Sequence, residues 1–303
     1  MKAIVTGAAG FVGGHLVAHL EARGDEVIPL DRHGGDAVDV TDADSVRAAV
    51  TAAQPDAVFH LAAVSHVGDS WSAPARVLRV NTEGTLNVLR ACIDAEVARV
   101  VVVGSADVYG AVAERDLPLT EDTPSRPLTP YGASKAAADL LALQAFLGDG
   151  LATLRVRAFN HTGPGQDTKF LVPALAARIA RAEREGRTEV AVGALEPVRD
   201  LSDVRDVVHA YRLLAERGVP GEAYNVCSGR GVSVAEVAER LVRLSEHSLR
   251  ITVDPDLVRP VDVPRLVGDP SKLRAATGWD PVVPLERTIA DVLAEARDGA
   301  RRG

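Results

Sequence analysis

The first half of the chain alternates short apolar runs with longer stretches whose apolar positions recur every three or four residues. Short runs rich in β-branched residues predict strands, and the longer stretches predict amphipathic helices. The predicted strands are residues 3–6, 26–30, 57–60, 99–103 and 152–157. The predicted helices are residues 11–23, 45–53, 74–95 and 131–147. Nearly all-apolar strands that alternate with helices predict a doubly wound parallel sheet of the α/β class.

The pattern loosens after about residue 160 into shorter elements. Helices are predicted at residues 172–185, 203–217, 234–245 and 285–296, and strands at 189–192 and 223–226. Residues 114–130, rich in proline, acidic and hydroxyl residues, predict a long loop. We therefore expect a first domain over residues 1–160 and a smaller α/β lobe over residues 161–303, some segments of which return to the first sheet.

Composition narrows the classes of partner and compartment. The chain has 303 residues with 34 Lys and Arg against 42 Asp and Glu, a net charge of -8 that argues against a broad nucleic-acid surface. Cys92 and Cys227 form neither a disulfide framework nor a metal-binding spacing, so we expect two buried thiols in a reducing cytoplasm and no metal site. Neither a targeting segment nor an apolar stretch long enough to span a membrane is evident.

A glycine-rich segment follows the first predicted strand and opens the first predicted helix. It contains Gly7, Gly10 and Gly13, with Phe11 and Val12 between the last two glycines. Glycines at these positions allow a tight turn and a close backbone approach, so that a pyrophosphate can rest on the N–H groups of the helix N-terminus. This strand, loop and helix predict a dinucleotide site in a Rossmann-like fold.

Asp31 ends the second predicted strand, where a carboxylate accepts hydrogen bonds from an adenosine ribose. That position favours NAD, but the adjacent Arg32 could bind the extra phosphate of NADP, so the choice between NAD and NADP stays open. Asp39 and Val40 could contact the adenine ring. An equally good interpretation is that they belong to a helix-capping cluster before the next helix.

Tyr131 and Lys135 lie four residues apart on a predicted helix, and Ser105 follows the fourth predicted strand. Residues at this spacing share a helix face, so both side chains can project into one cleft. A lysine ammonium is expected to lower the pKa of the phenol, which would let Tyr131 exchange a proton with a substrate oxygen that Ser105 polarises. These three residues are the predicted catalytic set.

Together these motifs resemble the extended short-chain dehydrogenase/reductase family over essentially the whole chain. The resemblance rests on the glycine loop, Asp31, residues 60–63, residues 105–110 and the Tyr131 segment. It implies that Leu61, Ala62 and Ala63 also contact the cofactor, that the nicotinamide lies near Tyr131 and Lys135, and that the substrate is a nucleotide sugar.

The C-terminal half resembles the GDP-4-keto-6-deoxy-D-mannose reductases, whose near relatives are the GDP-mannose 4,6-dehydratases. The resemblance rests on residues 157–166, 170–173, 198–206, 224–229 and 259–264. It implies that Asn160, Arg199 and Arg259 contact the substrate diphosphate and that Asp262 contacts the nucleotide ribose. Planar guanidinium forks and a carboxylate suit those ligands. Lys169 could add positive charge near the phosphates or remain a solvated lysine.

One departure from the dehydratases bears on the reaction. They carry a glutamate at the position of Asp107, and many sugar dehydratases carry an acid at the position of Ala106, because elimination of water needs a base and an acid there. Asp107 is therefore either a catalytic group or a loop hydrogen-bonding residue. We expect reduction of a GDP-linked 4-keto-6-deoxy sugar, with epimerisation or dehydration on a recycled cofactor as the first alternative and a non-catalytic dinucleotide-binding regulator as the second.

The helices at residues 74–95 and 131–147 each have a long apolar face. The resemblance implies that they form a homodimer surface, although sheet-covering helices would show the same pattern.

Overall fold

The computed structural model describes residues 1–34, 37–258 and 263–302. The strands are β1 (Lys2–Thr6), β2 (Glu26–Leu30), β3 (Ala57–His60), β4 (Arg99–Val103), β5 (Thr153–Ala158), β6 (Asn160–Thr162), β7 (Glu189–Val192), β8 (Val198–Asp203), β9 (Ala223–Val226), β10 (Gly231–Ser233), β11 (Arg250–Val253) and β12 (Arg265–Leu266). The helices are α1 (Phe11–Ala22), α2 (Ala43–Ala53), α3 (Val67–Ser72), α4 (Pro74–Leu78), α5 (Gly84–Asp94), α6 (Pro130–Asp149), α7 (Leu171–Glu185), α8 (Val204–Arg217), α9 (Val234–Arg243), α10 (Ser271–Thr277) and α11 (Leu285–Arg302).

Six parallel strands form the main sheet in the order β2-β1-β3-β4-β5-β9. In the register, Ile4 of β1 lies opposite Ile28 of β2 on one side and Val58 of β3 on the other. After β1 the chain adds β2 on one side of it. The chain then crosses to the other side of β1, where β3, β4, β5 and finally β9 are added in turn. This reversal creates a crevice beyond the carboxyl ends of β1 and β3, the place where open α/β sheets bind ligands.

Helices cover both faces of this sheet, because its strands are apolar on both sides. One buried cluster joins β-strand residues to α1 and α8, with Leu16 and Val207 among its members. A second cluster, which includes Val50 and Leu89, joins the opposite face to α2, α5 and α6. The predicted doubly wound, Rossmann-like α/β class is confirmed.

The second half builds a smaller lobe and also adds to the main sheet. In the lobe, β7 pairs with β11, while β8 lies between β10 and β12 and also pairs with β6. A separate buried cluster packs α7, α9 and α11 together around Ile179, Leu241 and Ile289. From the same half of the chain, β9 pairs with β5 at the edge of the main sheet, and α8 packs on its face.

The predicted strands and helices of the first half occur where the sequence indicates, within a few residues at their ends. One difference lies in the predicted helix at residues 74–95, which the structure divides into α4, a single π-helical turn at Arg79–Glu83, and α5. Across the described residues, no helix is long and apolar enough to cross a membrane.

Candidate active site

A cleft of about 1020 Å³ lies between the carboxyl ends of the main sheet and the second lobe. It contains nineteen positions that the sequence predicts for the site: Gly7, Gly10, Phe11, Val12, Gly13, Asp31, Arg32, Asp39, Val40, Leu61, Ala62, Ala63, Ser105, Asp107, Tyr131, Lys135, Asn160, Lys169 and Arg199. Arg259 and Asp262, which were predicted to bind substrate, lie outside the described residues.

The glycine loop packs so closely that side chains would not fit at two positions. Gly7 has φ +71°, and a Cβ there would lie 2.9 Å from the backbone of Ala62. A Cβ on Gly13 would lie 2.1 Å from the carbonyl oxygen of Gly7. Gly10 is the N-cap of α1 and offers no side-chain hydrogen bond to the first turn. The N–H groups of that turn are therefore well suited to a pyrophosphate.

Asp31 holds the end of β2 against the glycine loop. Its Oδ2 accepts a hydrogen bond from the N–H of Ala9 at 3.1 Å, and its Oδ1 accepts one from His33 at 3.2 Å. The Arg32 side chain donates through Nε to the His33 ring at 3.0 Å. Both Asp31 and Arg32 line the cleft, so an acceptor for ribose hydroxyls and a donor for a 2′-phosphate are both present there.

Asp39 lines the cleft and also accepts hydrogen bonds within its own turn. Its carboxylate accepts from the N–H and the hydroxyl of Thr41, both at 2.8 Å, and these bonds hold the pKa of Asp39 below its usual value. The N-cap of α2 is Asp42 rather than Asp39. The carbonyl of Val40 accepts from Asn87 at 2.9 Å, which ties this turn to α5.

A buried threonine and histidine position the backbone after β3. The Thr6 hydroxyl accepts from the N–H groups of Leu61 and Ala62, both at 3.2 Å, and contacts Nδ1 of His60 at 2.8 Å. The other ring nitrogen of His60 lies 3.0 Å from the Thr85 hydroxyl. Burial, with a smaller effect from the charge of Lys135, lowers the pKa of His60 to about 3.

The direction of these hydrogen bonds identifies the tautomer of His60. The hydroxyl proton of Thr85 is donated to the carbonyl of Asn81 at 2.6 Å, so Thr85 must accept from Nε2 of His60. Nδ1 is then unprotonated and accepts from Thr6. This buried pair of hydrogen bonds requires a neutral imidazole, and it fixes the backbone that lies against Gly7.

The three predicted catalytic residues converge in the cleft from two elements. Ser105 follows β4 and donates through Oγ to Oδ2 of Asp107 at 2.9 Å, while the N–H of Asp107 donates back to Ser105 Oγ at 3.1 Å. Tyr131 and Lys135 are both buried near the start of α6, whose N-cap is Thr129. The Lys135 ammonium donates to the carbonyl of Val103 at 2.8 Å, and burial lowers its pKa to about 8.

The pKa of Tyr131 differs from the prediction. The sequence predicted that Lys135 lowers it; in the structure it is raised, chiefly because the phenol is buried and next because the Asp107 carboxylate is close. A hydrogen bond with Ser105 opposes these effects. The spacing of four residues correctly predicts that both side chains lie in one cleft. It does not show how deeply the Tyr131 phenol is buried or that Asp107 is near it, and these two features set the phenol pKa.

Asn81 is a buried residue next to this site, behind the cleft lining, and the sequence analysis did not identify it. It lies in the π-helical turn, where its amide accepts from the N–H of Val64 at 2.8 Å and donates to the carbonyl of Val64 at 3.1 Å and to Ser134 at 2.9 Å. It therefore connects the loop after β3 to α6. The sequence signal that could have identified Asn81 is a polar residue at a helix position otherwise expected to be buried. The π-helical turn itself cannot be predicted from the pattern of apolar residues.

The predicted substrate residues lie on the opposite wall. Asn160 begins β6, and Arg199 lies on β8 with Nη1 donating to the carbonyl of Val198 at 2.8 Å. The ammonium of Lys169 lies 3.8 Å from the carboxylate of Asp69, which belongs to α3 on the other side of the cleft. Both side chains are more than half exposed, so Lys169 is a solvated lysine in a surface ion pair that lines the cleft.

The wall that carries Arg199 is held in place by its neighbour. Asp200 is fully buried and accepts from the N–H and the hydroxyl of Ser228 and from the N–H groups of Gly229 and Gly268. One carboxylate thus joins β8 to the loop after β9 and to the segment after β12. Sequence reasoning missed this role because the partners are distant in the chain.

The glycine loop also contacts the wall that carries Asn160. The Phe11 ring stacks on His161 with centroids 6.3 Å apart, and Nε2 of His15 lies 2.8 Å from the carbonyl oxygen of Pro164. The first helix and the predicted substrate segment therefore form one continuous surface.

This fold, with a glycine loop at its first strand and Ser105, Tyr131 and Lys135 in one cleft, defines a short-chain dehydrogenase/reductase. A sequence model described as GDP-mannose 4,6 dehydratase matches residues 34–292. The chain is 36% identical to the GDP-6-deoxy-D-mannose reductase of Pseudomonas aeruginosa over 298 residues, which cover 97% of this chain and 96% of that protein. The chain therefore belongs to the GDP-mannose 4,6-dehydratase family of extended short-chain dehydrogenases/reductases.

Solved structures give the same result. The chain is similar to the RMD protein of Pseudomonas aeruginosa complexed with NADPH, with a TM-score of 0.90, 35% identity and 98% and 99% of the two chains covered. It is also similar to the UDP-glucose 4-epimerase of Thermus thermophilus complexed with NAD, with a TM-score of 0.87, 31% identity and the same coverage. The predicted family and the predicted class, an NAD(P)-dependent oxidoreductase, are confirmed.

Proposed function

We propose that the protein reduces the 4-keto group of a GDP-linked 4-keto-6-deoxy sugar, GDP-4-keto-6-deoxy-mannose, with NADH or NADPH. The GDP-6-deoxy-D-mannose reductase of Pseudomonas aeruginosa supports this substrate, since it matches nearly the whole of both chains. The complexes of the two structural relatives with NADPH and NAD support the cofactor.

The observation that carries the reaction type is the arrangement at Ala106 and Asp107. Ala106 is fully buried and has no acid to offer, and the carboxylate of Asp107 accepts the hydroxyl of Ser105. Elimination of water needs an acid and a base at these positions. Reduction needs one proton donor and one polarising group, which Tyr131 and Ser105 supply.

The residues of the chain have distinct parts in this reaction. When bound, the reduced nicotinamide supplies the hydride to C4 of the sugar. Tyr131 donates its phenolic proton to the C4 oxygen, and its raised pKa keeps that proton in place until the oxygen becomes basic. Ser105 donates to the same oxygen, for which its hydroxyl must turn away from Asp107. Lys135 remains cationic near neutral pH and orients the tyrosine and the cofactor ribose.

The substrate phosphates belong on the wall formed by β6 and β8. We assign the diphosphate to Arg199 and Asn160, with Lys169 near the cleft entrance. By resemblance Arg259 and Asp262 would complete the contacts to diphosphate and ribose. Residues 1–160 would bind the dinucleotide and residues 161–303 mainly the nucleotide sugar.

Epimerisation or dehydration on a recycled cofactor is the second candidate function. The observation in its favour is the shared Ser105, Tyr131 and Lys135 set, together with the similarity to a UDP-glucose 4-epimerase complexed with NAD. This candidate predicts that the purified protein retains nicotinamide tightly and consumes none. The cofactor absorbance of the protein during turnover separates the two.

We also propose a cytoplasmic homodimer that associates through α5 and α6. Two large apolar side chains one heptad apart on α6, Leu140 and Leu147, are 63% and 72% exposed. Exposed apolar side chains on one helix face suit contact with a second copy. A single sedimentation species at twice the chain mass would support the dimer, and a species at the chain mass would contradict it.

The proposed function is tested by mixing the protein with NADH or NADPH and enzymatically prepared GDP-4-keto-6-deoxy-mannose. Stoichiometric loss of the absorbance of the reduced cofactor is expected. Tyr131→Phe should abolish turnover while preserving cofactor binding, because only the proton donor is removed. Unchanged absorbance with wild-type protein, or full activity in Tyr131→Phe, would overturn the assignment.

A further inference from the structure

One face of α7 lines the cleft. Leu171, Ala174, Leu175 and Arg178 all line the cavity, and this spacing places them on one side of the helix. Arg178 is about 10 Å further along the helix axis than Leu171, at a rise of about 1.5 Å per residue. Lys169 lies two residues before the start of α7, so the helix separates the cleft positions of Lys169 and Arg178 by about two turns.

The strand that Arg178 contacts, β7, is followed by small residues that also line the cleft. Leu175 and Leu257 contribute apolar side chains, and Gly193 and Ala194 follow β7. A Cβ on Gly193 would lie 2.5 Å from the carbonyl oxygen of Leu257, so the two backbone segments lie in close contact. Small and aliphatic residues beside one charged group are suited to the apolar faces and one polar edge of a nucleobase.

Arg178 is held with part of its guanidinium available. Nη1 donates to the carbonyl of Ala191 at 3.0 Å, which fixes the side chain against β7. Among the described residues this is the hydrogen bond that Arg178 makes, so Nη2 and Nε can donate to a ligand. Within the described lining of the second lobe, the other arginine is Arg199, which the proposed function assigns to the diphosphate.

We infer that Arg178 selects guanine by donating to O6 and N7 of the base. These two acceptors lie side by side on one edge of guanine, and a planar guanidinium matches them. Adenine presents an amino donor in place of O6, and uracil lacks the second acceptor. This inference rests on the proposed function, since it names the base of the same substrate and the residue that recognises it.

The test compares nucleotide binding by calorimetry in wild type, Arg178→Gln and the control Arg181→Gln. Arg181 lies on the same helix, is exposed and pairs with Glu185. The probes are GDP, IDP and ADP, because IDP keeps O6 and N7 while ADP lacks O6. In Arg178→Gln the dissociation constants of GDP and IDP should rise roughly tenfold or more, with that of ADP changed less than about twofold. Arg181→Gln should resemble wild type.

Arg178→Lys gives a second variant that keeps the charge and loses the fork. It should reduce the preference for GDP over ADP, because an ammonium lacks the planar pair of donors, while retaining affinity for ADP. A similar loss of all three nucleotides in Arg178→Gln would assign the residue to phosphate and overturn the inference, as would unchanged binding of GDP in both variants.

The outcomes also separate this inference from the proposed function. If wild type binds GDP and consumes reduced cofactor with the GDP sugar, and Arg178→Gln does both equally well, only the assignment of Arg178 fails. If wild type binds GDP no better than ADP and leaves the cofactor unchanged, the GDP-linked substrate itself is wrong and the inference falls with it. The inference is supported if Arg178→Gln raises the KM for the GDP sugar and retains the wild-type kcat at saturating substrate.

Discussion

The hydroxyl of Ser105 donates to the carboxylate of Asp107 over 2.9 Å, and the N–H of Asp107 returns a hydrogen bond to the same serine oxygen. The acid therefore holds the serine while its charge raises the pKa of Tyr131. One residue thus affects both groups that face the substrate oxygen. The role of Asp107 in the reaction can therefore be tested through its effect on Tyr131.

Asp107→Asn should move the second alkaline decline of kcat/KM to lower pH. The amide can still accept from Ser105, but the negative charge that raises the pKa of Tyr131 is gone, so the phenol loses its proton at lower pH. Loss of the Lys135 proton, with a pKa of about 8, sets the first decline in both proteins, because the lysine pKa is lowered by burial alone. Reduction also needs the protonated phenol, so the second, steeper decline above that pH should begin earlier in Asp107→Asn. The measurement is a pH profile with Asp116→Asn, an exposed acid in the same loop, as control. A second decline that stays in place or moves upward would contradict the role given to Asp107.

Asp31 and Arg32 should separate the use of the two cofactors. Arg32→Gln is expected to raise KM for NADPH several-fold and leave KM for NADH nearly unchanged, because only NADPH carries a 2′-phosphate. Asp31→Asn should raise KM for NADH, since an acceptor for the ribose hydroxyls is weakened, and should not harm the use of NADPH. Initial rates with both cofactors check this. Equal effects of Arg32→Gln on both cofactors would show that the guanidinium does not face the 2′ position.

Protonation of His60 should destabilise the fold as pH falls. The pKa of His60 is about 3 in the folded protein and about 6.5 when unfolded, so below pH 6.5 only the unfolded state gains the proton. The stabilising effect of the neutral ring is complete above pH 6.5 and is lost progressively towards pH 3. Between pH 7 and pH 5 it should cost about 2 kcal/mol of unfolding free energy.

Urea unfolding of wild type and His60→Asn at both pH values measures this contribution. The variant should be less stable at pH 7, because the hydrogen bonds to Thr6 and Thr85 are altered. Its stability should fall less between pH 7 and pH 5 than that of wild type, since it lacks the titrating ring. Parallel losses in both proteins would assign the pH dependence to other groups.

The sequence predicted those parts of the site that depend on neighbours along the chain. The glycine loop, Ser105 and the pair Tyr131 and Lys135 each combine a local spacing with a strand end or a helix start. Long-range contacts decided the remainder. The buried amide of Asn81 bridges to Val64 and Ser134, and the sequence pattern around Asn81 does not indicate which residues these partners are.

The same distinction between local patterns and long-range contacts applies to the fold. Long amphipathic helices and apolar strands were predicted because their periodicity is internal to each element. The strands β6, β10 and β12 are only two or three residues long and form because each pairs with β8. The direction of the pKa shift of Tyr131 also depends on burial and on Asp107, which only the assembled cleft brings together.

Adjacent glycines of α1 should respond in opposite ways to alanine. A Cβ on Gly13 would lie 2.1 Å from the carbonyl oxygen of Gly7 and 2.8 Å from the Cα of Ala8, whereas the nearest atom to a Cβ on Gly14 is 3.9 Å away. Gly13→Ala must therefore push α1 away from the glycine loop. We expect a lower thermal unfolding midpoint and at least tenfold weaker dinucleotide binding, which corresponds to about 1.4 kcal/mol of binding free energy. Gly14→Ala should leave binding unchanged and raise stability by up to about 1 kcal/mol, the difference in helix propensity. Thermal unfolding and cofactor titration of both variants measure this contrast. Tight binding in Gly13→Ala would show that the dinucleotide site does not depend on the close contact between α1 and the glycine loop.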